Sequence, residues 1–182
     1  VCFGGPYTGD ERSPSRIVQP QVFASVRRSE MSKYDRALRC HVSASVRKMI
    51  PHQLVTELVY RDVERDENGC FIPSEGMVKL AVIERHHATG SMAVGILEGL
   101  GIKHGAVAST VAHNSHTLVV AGDNDDDMLM AIESLRVCCG GYSVVSRRVV
   151  LARLPLPIAG LMTAAPVNDV LEIQQALLDA LY

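Results

Sequence analysis

Four of the seven histidines of this chain lie in two short blocks, at residues 85–90 and 112–116. These histidines are His86, His87, His113 and His116. Imidazole is the commonest protein ligand for divalent transition metals. Each block adjoins an apolar, strand-like run, so both are predicted at strand ends, where α/β proteins build their sites. The pattern therefore predicts a metal site or a site for a polar ligand.

Carboxylates near the two blocks could complete such a site. Glu84 and Asp123 offer the hard oxygen ligands that Mn or Fe accept beside nitrogen. On an extended segment the side chains of His113 and His116 would point to opposite faces, so they converge only if the chain turns. The turn formers Asn114 and Ser115 predict that bend. The alternative is that each histidine is a hydrogen-bonded residue at a strand end without any ligand.

Composition excludes several classes of protein. The chain has 182 residues and is 47% hydrophobic, which suits one domain with a substantial core. Eighteen Lys and Arg stand against twenty Asp and Glu, and the basic residues are scattered, so we expect no nucleic-acid partner. No apolar run reaches the ~18 residues of a membrane span. The five cysteines form no C-x-x-C pair, which argues against a disulfide framework or a cysteine zinc site and favours a cytoplasmic location.

The second half of the chain alternates strands and helices. An amphipathic helix is predicted over residues 125–137, capped by Asp123 or Asn124 and ended by Gly140 and Gly141. Further elements are predicted as strands at 78–83, 106–112 and 117–121, a hairpin of strands 142–145 and 149–154, and a terminal helix at 167–182.

The first half carries weaker patterns. Residues 1–21 predict a linker or the tail of a preceding small β domain, and residues 22–182 a single domain. Within it, residues 22–26 and 38–46 resemble edge strands, Pro51 opens a predicted short helix, and residues 92–101 fit a strand or a short helix. The predicted fold class is α/β or α+β, a mixed β-sheet sandwiched with helices, with an N-terminal arm.

Familiar catalytic motifs are missing from the sequence. The chain lacks H-E-x-x-H, G-x-S-x-G and the paired H-x-E and P-C-x-x-C motifs of zinc deaminases. Its 182 residues are too few for a whole (β/α)₈ barrel of the usual ~250. No catalytic residue is therefore assigned within this chain.

Three longer blocks resemble a known family. The stretches 80–90, 105–116 and 154–162 closely resemble the C-terminal domain of bacterial-type adenine deaminases, and the resemblance covers roughly residues 40–180. It implies a metal-dependent amidohydrolase barrel upstream, which removes the 6-amino group of adenine to give hypoxanthine and ammonia. In that chemistry manganese or iron lowers the pKa of the attacking water. The isolated chain is then expected to be inactive.

The resemblance also implies roles for individual residues. The family's R-H-x-x-T-G and A-H-x-S-H motifs match residues 85–90 and 112–116. The resemblance implies that these residues form either a supplementary metal site or a wall of the active-site entrance. The implied metal ligands for Mn, or Fe or Zn, are His86, His87, His113 and His116. The implied substrate contacts are Arg85, Thr89 and Ser115. The chain departs from the family at Asn114, where aspartate is usual, and at His52, where asparagine is usual.

The expected partners are the upstream barrel, adenine as substrate of the whole enzyme and a second copy of the chain in a homo-oligomer. The whole enzyme is expected to be cytoplasmic and to act in purine salvage. Two alternatives remain open. The chain could be a free-standing metal- or purine-binding module, or a structural oligomerisation domain in which the histidines are incidental.

Overall fold

A computed structural model describes residue 26 and residues 43–51, 53, 55–74, 76–87, 89–113 and 115–181. Its strands are β1 (Ser43–Met49), β2 (Thr56–Asp62), β3 (Met77–Ile83), β4 (Met92–Glu98), β5 (Gly105–Ser109), β6 (Leu118–Gly122), β7 (Gly141–Ser146) and β8 (Val149–Pro155). Its helices are α1 (Asp125–Val137) and α2 (Val167–Leu181).

The strands form one sheet of eight in the order β2-β1-β4-β3-β6-β5-β7-β8. Every pair is antiparallel except β1 and β4, where Val46 lies opposite Ile96 in parallel register. Since β3 and β4 form a hairpin, β1 takes its place in the sheet beside a strand that is distant in sequence. The sheet is thus mixed, as the sequence predicts.

The two helices pack on opposite faces of the sheet. Residues of α1, including Met128 and Leu135, share a core with Val145 of β7, whereas Leu177 of α2 packs with the neighbouring Val144. Adjacent residues of a strand point to opposite faces of the sheet, so the two helices lie on opposite faces. Both contact the β7–β8 end of the sheet, and α1 also contacts β5 and β6. Among the residues that the structure describes, these two helices therefore cover only part of the sheet.

Local sequence explains the ends of α1. The Asn124 side chain accepts a hydrogen bond from the Asp127 amide, and the acidic residues of the first turn suit the positive helix end. Buried Asp127 in turn accepts the backbone N–H groups of Arg147 and Arg148, which form the two-residue turn between β7 and β8. Both turn residues have positive φ, the geometry of a type I′ hairpin. The predicted helix and hairpin are both confirmed.

The first half of the chain departs from one expectation. The segment after Pro51 was predicted as a short helix, but it turns and then forms β2, which pairs along its whole length with β1. That pairing decides the structure, because a helix here would leave β1 without its edge partner. Residues 92–101, open between strand and helix, contain strand β4. The predicted linker at 1–21 and the strand at 22–26, except Val26, lie outside the described residues.

Two adjacent cysteines follow α1. Cys138 is free and half-buried, and burial raises the pKa of its thiol. Its neighbour Cys139 is disulfide-bonded, which the cysteine count did not predict.

Across the described ranges no helix is both long and apolar enough to span a membrane.

Candidate functional site

Three loops meet at one end of the strands, on the border of the sheet where β3, β5 and β8 finish. They are residues 84–91 between β3 and β4, residues 110–117 between β5 and β6, and residues 156–162 after β8. The register explains why they meet: Ile83 lies opposite both Met92 and Leu118, and Gly141 lies opposite Pro155. We call these three loops the histidine edge. Each of the three sequence blocks singled out above contributes one loop to it.

Arg85 connects all three loops. Its side chain is 1% exposed, and its guanidinium donates to the carbonyl oxygens of His116 and Ala159, the latter at 2.8 Å. His116 and Ala159 both have positive φ, at 48° and 57°, which is unfavourable for residues with a side chain. Burial lowers the pKa of the guanidinium from its ordinary value, yet arginine stays charged in proteins. Arg85 therefore holds two strained loop residues in place and is not accessible to a substrate at this edge.

A second buried group supports the same junction. The Thr110 hydroxyl donates to the Gly160 carbonyl at 2.6 Å and accepts the Gly141 N–H at 2.7 Å. Gly160 has φ +74°, and a Cβ there would lie 2.8 Å from Nη1 of Arg85. A side chain at Gly160 would therefore be strained by this φ and would require the Arg85 guanidinium to shift. Neither Thr110 nor Gly160 was selected as a site residue from the sequence, although both lie within the resembling blocks.

Glu84 organises the first histidine loop. Its carboxylate accepts the backbone N–H groups of His86, His87 at 2.8 Å and Thr89 at 3.1 Å, and also the Thr89 hydroxyl at 3.0 Å. These bonds, led by that of the Thr89 N–H, lower the pKa of Glu84 to about 2. The predicted oxygen ligand is therefore committed to its own loop, and the Thr89 hydroxyl is committed with it.

The two histidine blocks are in contact. The ring N–H at Nε2 of His86 lies 3.0 Å from the Ser115 carbonyl oxygen. The second block turns as predicted, because the amide of Ser115 bonds to the His113 carbonyl and that of His116 to the Ala112 carbonyl. His86, His87, His113 and His116 are all exposed on this edge. Ser115 is exposed as well, and its hydroxyl lies 3.0 Å from that of Thr117.

The loop contact does not make a cluster of ligands. Among the residues that the structure describes, no three His, Cys, Asp or Glu side chains are grouped so that they could hold a metal ion. Asp123 lies at the opposite edge of the sheet, where its carboxylate accepts the amides of His104 and Gly105. It cannot join the histidine blocks, because they precede β6 and Asp123 follows it. Asn114 and His52, the two departures from the family pattern, lie outside the described residues.

The chain is similar to known proteins over most of its length. Residues 53–182 match the family model described as the adenine deaminase C-terminal domain. The chain belongs to this family. It is 52% identical over 141 residues to an adenine deaminase of Nitratidesulfovibrio vulgaris strain DP4, a match that covers 76% of the chain and 24% of the relative. An adenine deaminase of Leuconostoc mesenteroides is 38% identical over 182 residues, which cover 99% of the chain and 32% of the relative.

A third relative, adenine deaminase 2 of Carboxydothermus hydrogenoformans, is 50% identical over 71% of the chain and 23% of its own length. The chain thus spans about a quarter to a third of the length of these relatives. The three loops of the histidine edge all lie inside the region that matches this family model, residues 53–182.

Proposed function

We propose that this chain is the C-terminal part of an adenine deaminase, in which adenine and water give hypoxanthine and ammonia. In this proposal the catalytic barrel lies in the upstream region, which accounts for the greater length of the relatives. The histidine edge then forms a wall of the active-site entrance. The observation that carries the proposal is the junction at Arg85, where a buried charge and two strained residues fix three loops that expose polar side chains.

Such a junction is costly for a part that only maintains the fold. Residues held in sparsely populated backbone regions cost about 1–3 kcal/mol each and are concentrated at functional sites. A buried charge is also a poor source of net stability compared with apolar packing. The same residues are well suited to fixing His86, His113 and His116 relative to one another, because rigid support of a site preserves its geometry.

The described residues of this chain do not fit a resident metal, since no group of three ligating side chains is present among them. We therefore assign the metal of the proposed enzyme, manganese or else iron or zinc, to the upstream region. His86, His87, His113 and His116 are proposed to face that region and to contribute single contacts to it. Ser115 is the proposed substrate contact at the entrance, while Arg85 and Thr89 position the loops.

A chimera tests the proposed function. The region of the Nitratidesulfovibrio vulgaris enzyme that matches this chain is replaced by the chain's own sequence, and adenine loss and ammonia release are measured. We expect kcat/KM within about tenfold of the parent enzyme, a difference of about 1.4 kcal/mol in transition-state stabilisation. A folded, metal-loaded chimera without deaminase activity would contradict the proposal.

The histidine edge is tested in the same chimera. Replacing His113 and His116 together with Ala should lower kcat/KM by about tenfold or more, while thermal unfolding changes little, because exposed residues contribute little to stability. His104→Ala is the matched control, since His104 is an exposed histidine at the opposite edge. Equal activity of the double variant and the control would remove the histidines from the active-site entrance.

The finer assignments belong to the same proposal. We propose that the enzyme is cytoplasmic, acts in purine salvage and forms a homo-oligomer, and that residues 1–21 link the domain at 22–182 to the upstream region. Sedimentation of the intact enzyme would test the oligomer.

A further inference from the structure

The Thr110 hydroxyl lies where three parts of the backbone meet. Thr110 directly follows β5, and its side chain is fully buried. The hydroxyl donates to the Gly160 carbonyl and accepts the Gly141 N–H, while the Thr110 amide donates to the Gly141 carbonyl at 3.0 Å. One residue therefore joins the end of β5, the start of β7 and the loop after β8.

The backbone is closely packed around this hydroxyl. A Cβ added at Gly140 would lie 2.8 Å from Oγ1 of Thr110 and 2.6 Å from the Cα of Gly160. Gly141 and Gly160 are both buried. Valine lacks the hydroxyl of threonine, so it would remove the acceptor for the Gly141 N–H and the donor to the Gly160 carbonyl. Buried polar groups that lose a partner in this way keep the cost of their desolvation.

The loop that begins at Thr110 carries three of the proposed site residues, His113, Ser115 and His116. Thr110 fixes the start of this loop through its hydroxyl and its amide. The end of the loop is fixed by Arg85, whose guanidinium donates to the His116 carbonyl. The exposed polar side chains therefore lie between two buried anchors.

The two anchors share one support. Ala159 accepts a hydrogen bond from Arg85 at 2.8 Å, and the next residue, Gly160, accepts from Thr110. A displacement of Gly160 would therefore also move the carbonyl that holds Arg85. The Thr110 hydroxyl thus acts on the loop at both ends, along the chain at its start and through Arg85 at its end.

A second buried hydroxyl is arranged differently. Ser143 of β7 is also fully buried, and its hydroxyl donates to that of Ser134 at 3.1 Å. This bond joins β7 to α1, and neither residue belongs to the histidine edge. Ser143 is therefore the matched control for Thr110, because it is a buried hydroxyl that supports the fold away from the proposed site.

We propose that Thr110 is a positioning residue of the active-site entrance, whose hydroxyl fixes the loop that carries His113, Ser115 and His116. The inference rests on the proposed function for the reaction that this loop serves, whereas the positioning itself is a property of the chain. Thr110 is buried, so it acts through the backbone of the loops and not by touching the substrate.

Amide hydrogen exchange of the 182-residue chain tests the positioning. The His116 amide bonds to the Ala112 carbonyl, and in Thr110→Val its exchange rate relative to that of Val120 in β6 should rise about tenfold or more. The comparison with Val120 removes any change in global stability. Thr110→Ser keeps the hydroxyl and should stay within about threefold of the parent, and so should Ser143→Ala.

Steady-state kinetics of the chimera test the consequence for the reaction. Thr110→Val should lower kcat/KM by about tenfold or more, because displaced groups at a site lose their alignment with the substrate. Thr110→Ser should restore the value to within about threefold of the parent chimera, and Ser143→Ala should stay within the same range. Thr110→Cys, whose thiol is a weaker donor, should give an intermediate loss and decides the question where Thr110→Val does not fold.

Each outcome separates the positioning from the deaminase function. An unchanged exchange ratio in Thr110→Val would overturn the proposal, and so would a faster His116 amide with unchanged kcat/KM. Failure of Thr110→Ser to restore both quantities would also overturn it, since the effect would then come from the methyl group. A parent chimera without activity would contradict the deaminase function alone, and the exchange ratio would then decide the positioning.

Discussion

At the scale of single residues, the unusual group is Arg85. Its guanidinium is buried and donates to two carbonyls, both belonging to residues with positive φ. Hydrogen bonds to a charged group contribute more than neutral ones, about 1.5–3 kcal/mol, so the arginine can offset the backbone strain at His116 and Ala159. The bonds therefore stabilise loop conformations that the sequence by itself disfavours.

The first prediction concerns the contact between Arg85 and Gly160. Gly160→Ala should destabilise the fold by about 2–4 kcal/mol, since the new Cβ meets Nη1 at 2.8 Å in addition to adopting a left-handed φ. Gly69→Ala is the matched control, because Gly69 also has positive φ but has no atom within 4 Å of an added Cβ. Urea denaturation measures both. If the free energy of unfolding falls equally in the two variants, the close contact between residue 160 and Arg85 does not contribute to the loss.

The second prediction concerns the pH dependence of the first histidine loop. The pKa of Glu84 is lowered from 4.5 to about 2, so the carboxylate stabilises the folded loop fully above its ordinary pKa. That contribution should be lost as the pH falls from about 4.5 towards 2. Amide chemical shifts of His87 and Thr89 in an acid titration would report the change. Glu84→Gln should remove the transition, whereas Asp66→Asn, in another loop, should leave it in place.

At the scale of elements, each strand end places its loop. Antiparallel pairing brings the ends of β3, β5 and β8 to one edge, although long stretches of sequence separate them. The opposite edge is held by Asp127, which joins the start of α1 to the turn between β7 and β8. The helix and the hairpin are thus fixed to each other, and the histidine edge rests on the other end of the same strands.

The third prediction concerns the cap of α1. Asn124→Ala should lower stability by about 1 kcal/mol, because it removes the acceptor for the Asp127 amide at the start of the helix. Asn168→Ala, an exposed asparagine in the first turn of α2, is the control and should change stability by less than about 0.5 kcal/mol. Thermal unfolding distinguishes them, and equal losses would mean that the cap does not fix α1.

At the scale of the whole molecule, the chain fixes three loops at one end of its strands, and it covers only part of the length of its relatives. The described residues contain no cluster of three ligating side chains. Catalysis of adenine hydrolysis needs both an activated water and a proton acceptor. In the proposed enzyme these groups come from the upstream region, and this chain supplies a wall of the active-site entrance.

The fourth prediction follows for the isolated chain. The purified 182-residue protein should release ammonia from adenine far more slowly than the chimera, with or without added Mn²⁺. An ammonia assay with metal-free and metal-loaded samples measures this. Robust turnover by the chain alone would mean that it holds a complete active site, against the proposed division of labour.

Local features of the sequence determined much of the second half of the fold. The triple acidic turn after Asn124, the glycines after Cys139 and the alternation in residues 141–155 fix α1 and the hairpin, because caps, turns and periodicity act over a few residues. The three resembling blocks also identified the family, and the predicted position of the two histidine blocks at strand ends is what the structure shows.

Only the tertiary structure decided which of those residues are accessible and which are structural. Arg85 was predicted to contact substrate, but packing of the third loop against the first two buries it. The segment after Pro51 becomes a strand because β1 needs a partner, and Asp123 is separated from the histidines because β6 lies between them. Strand order and burial depend on contacts between residues far apart in sequence, and local periodicity carries no information about those contacts.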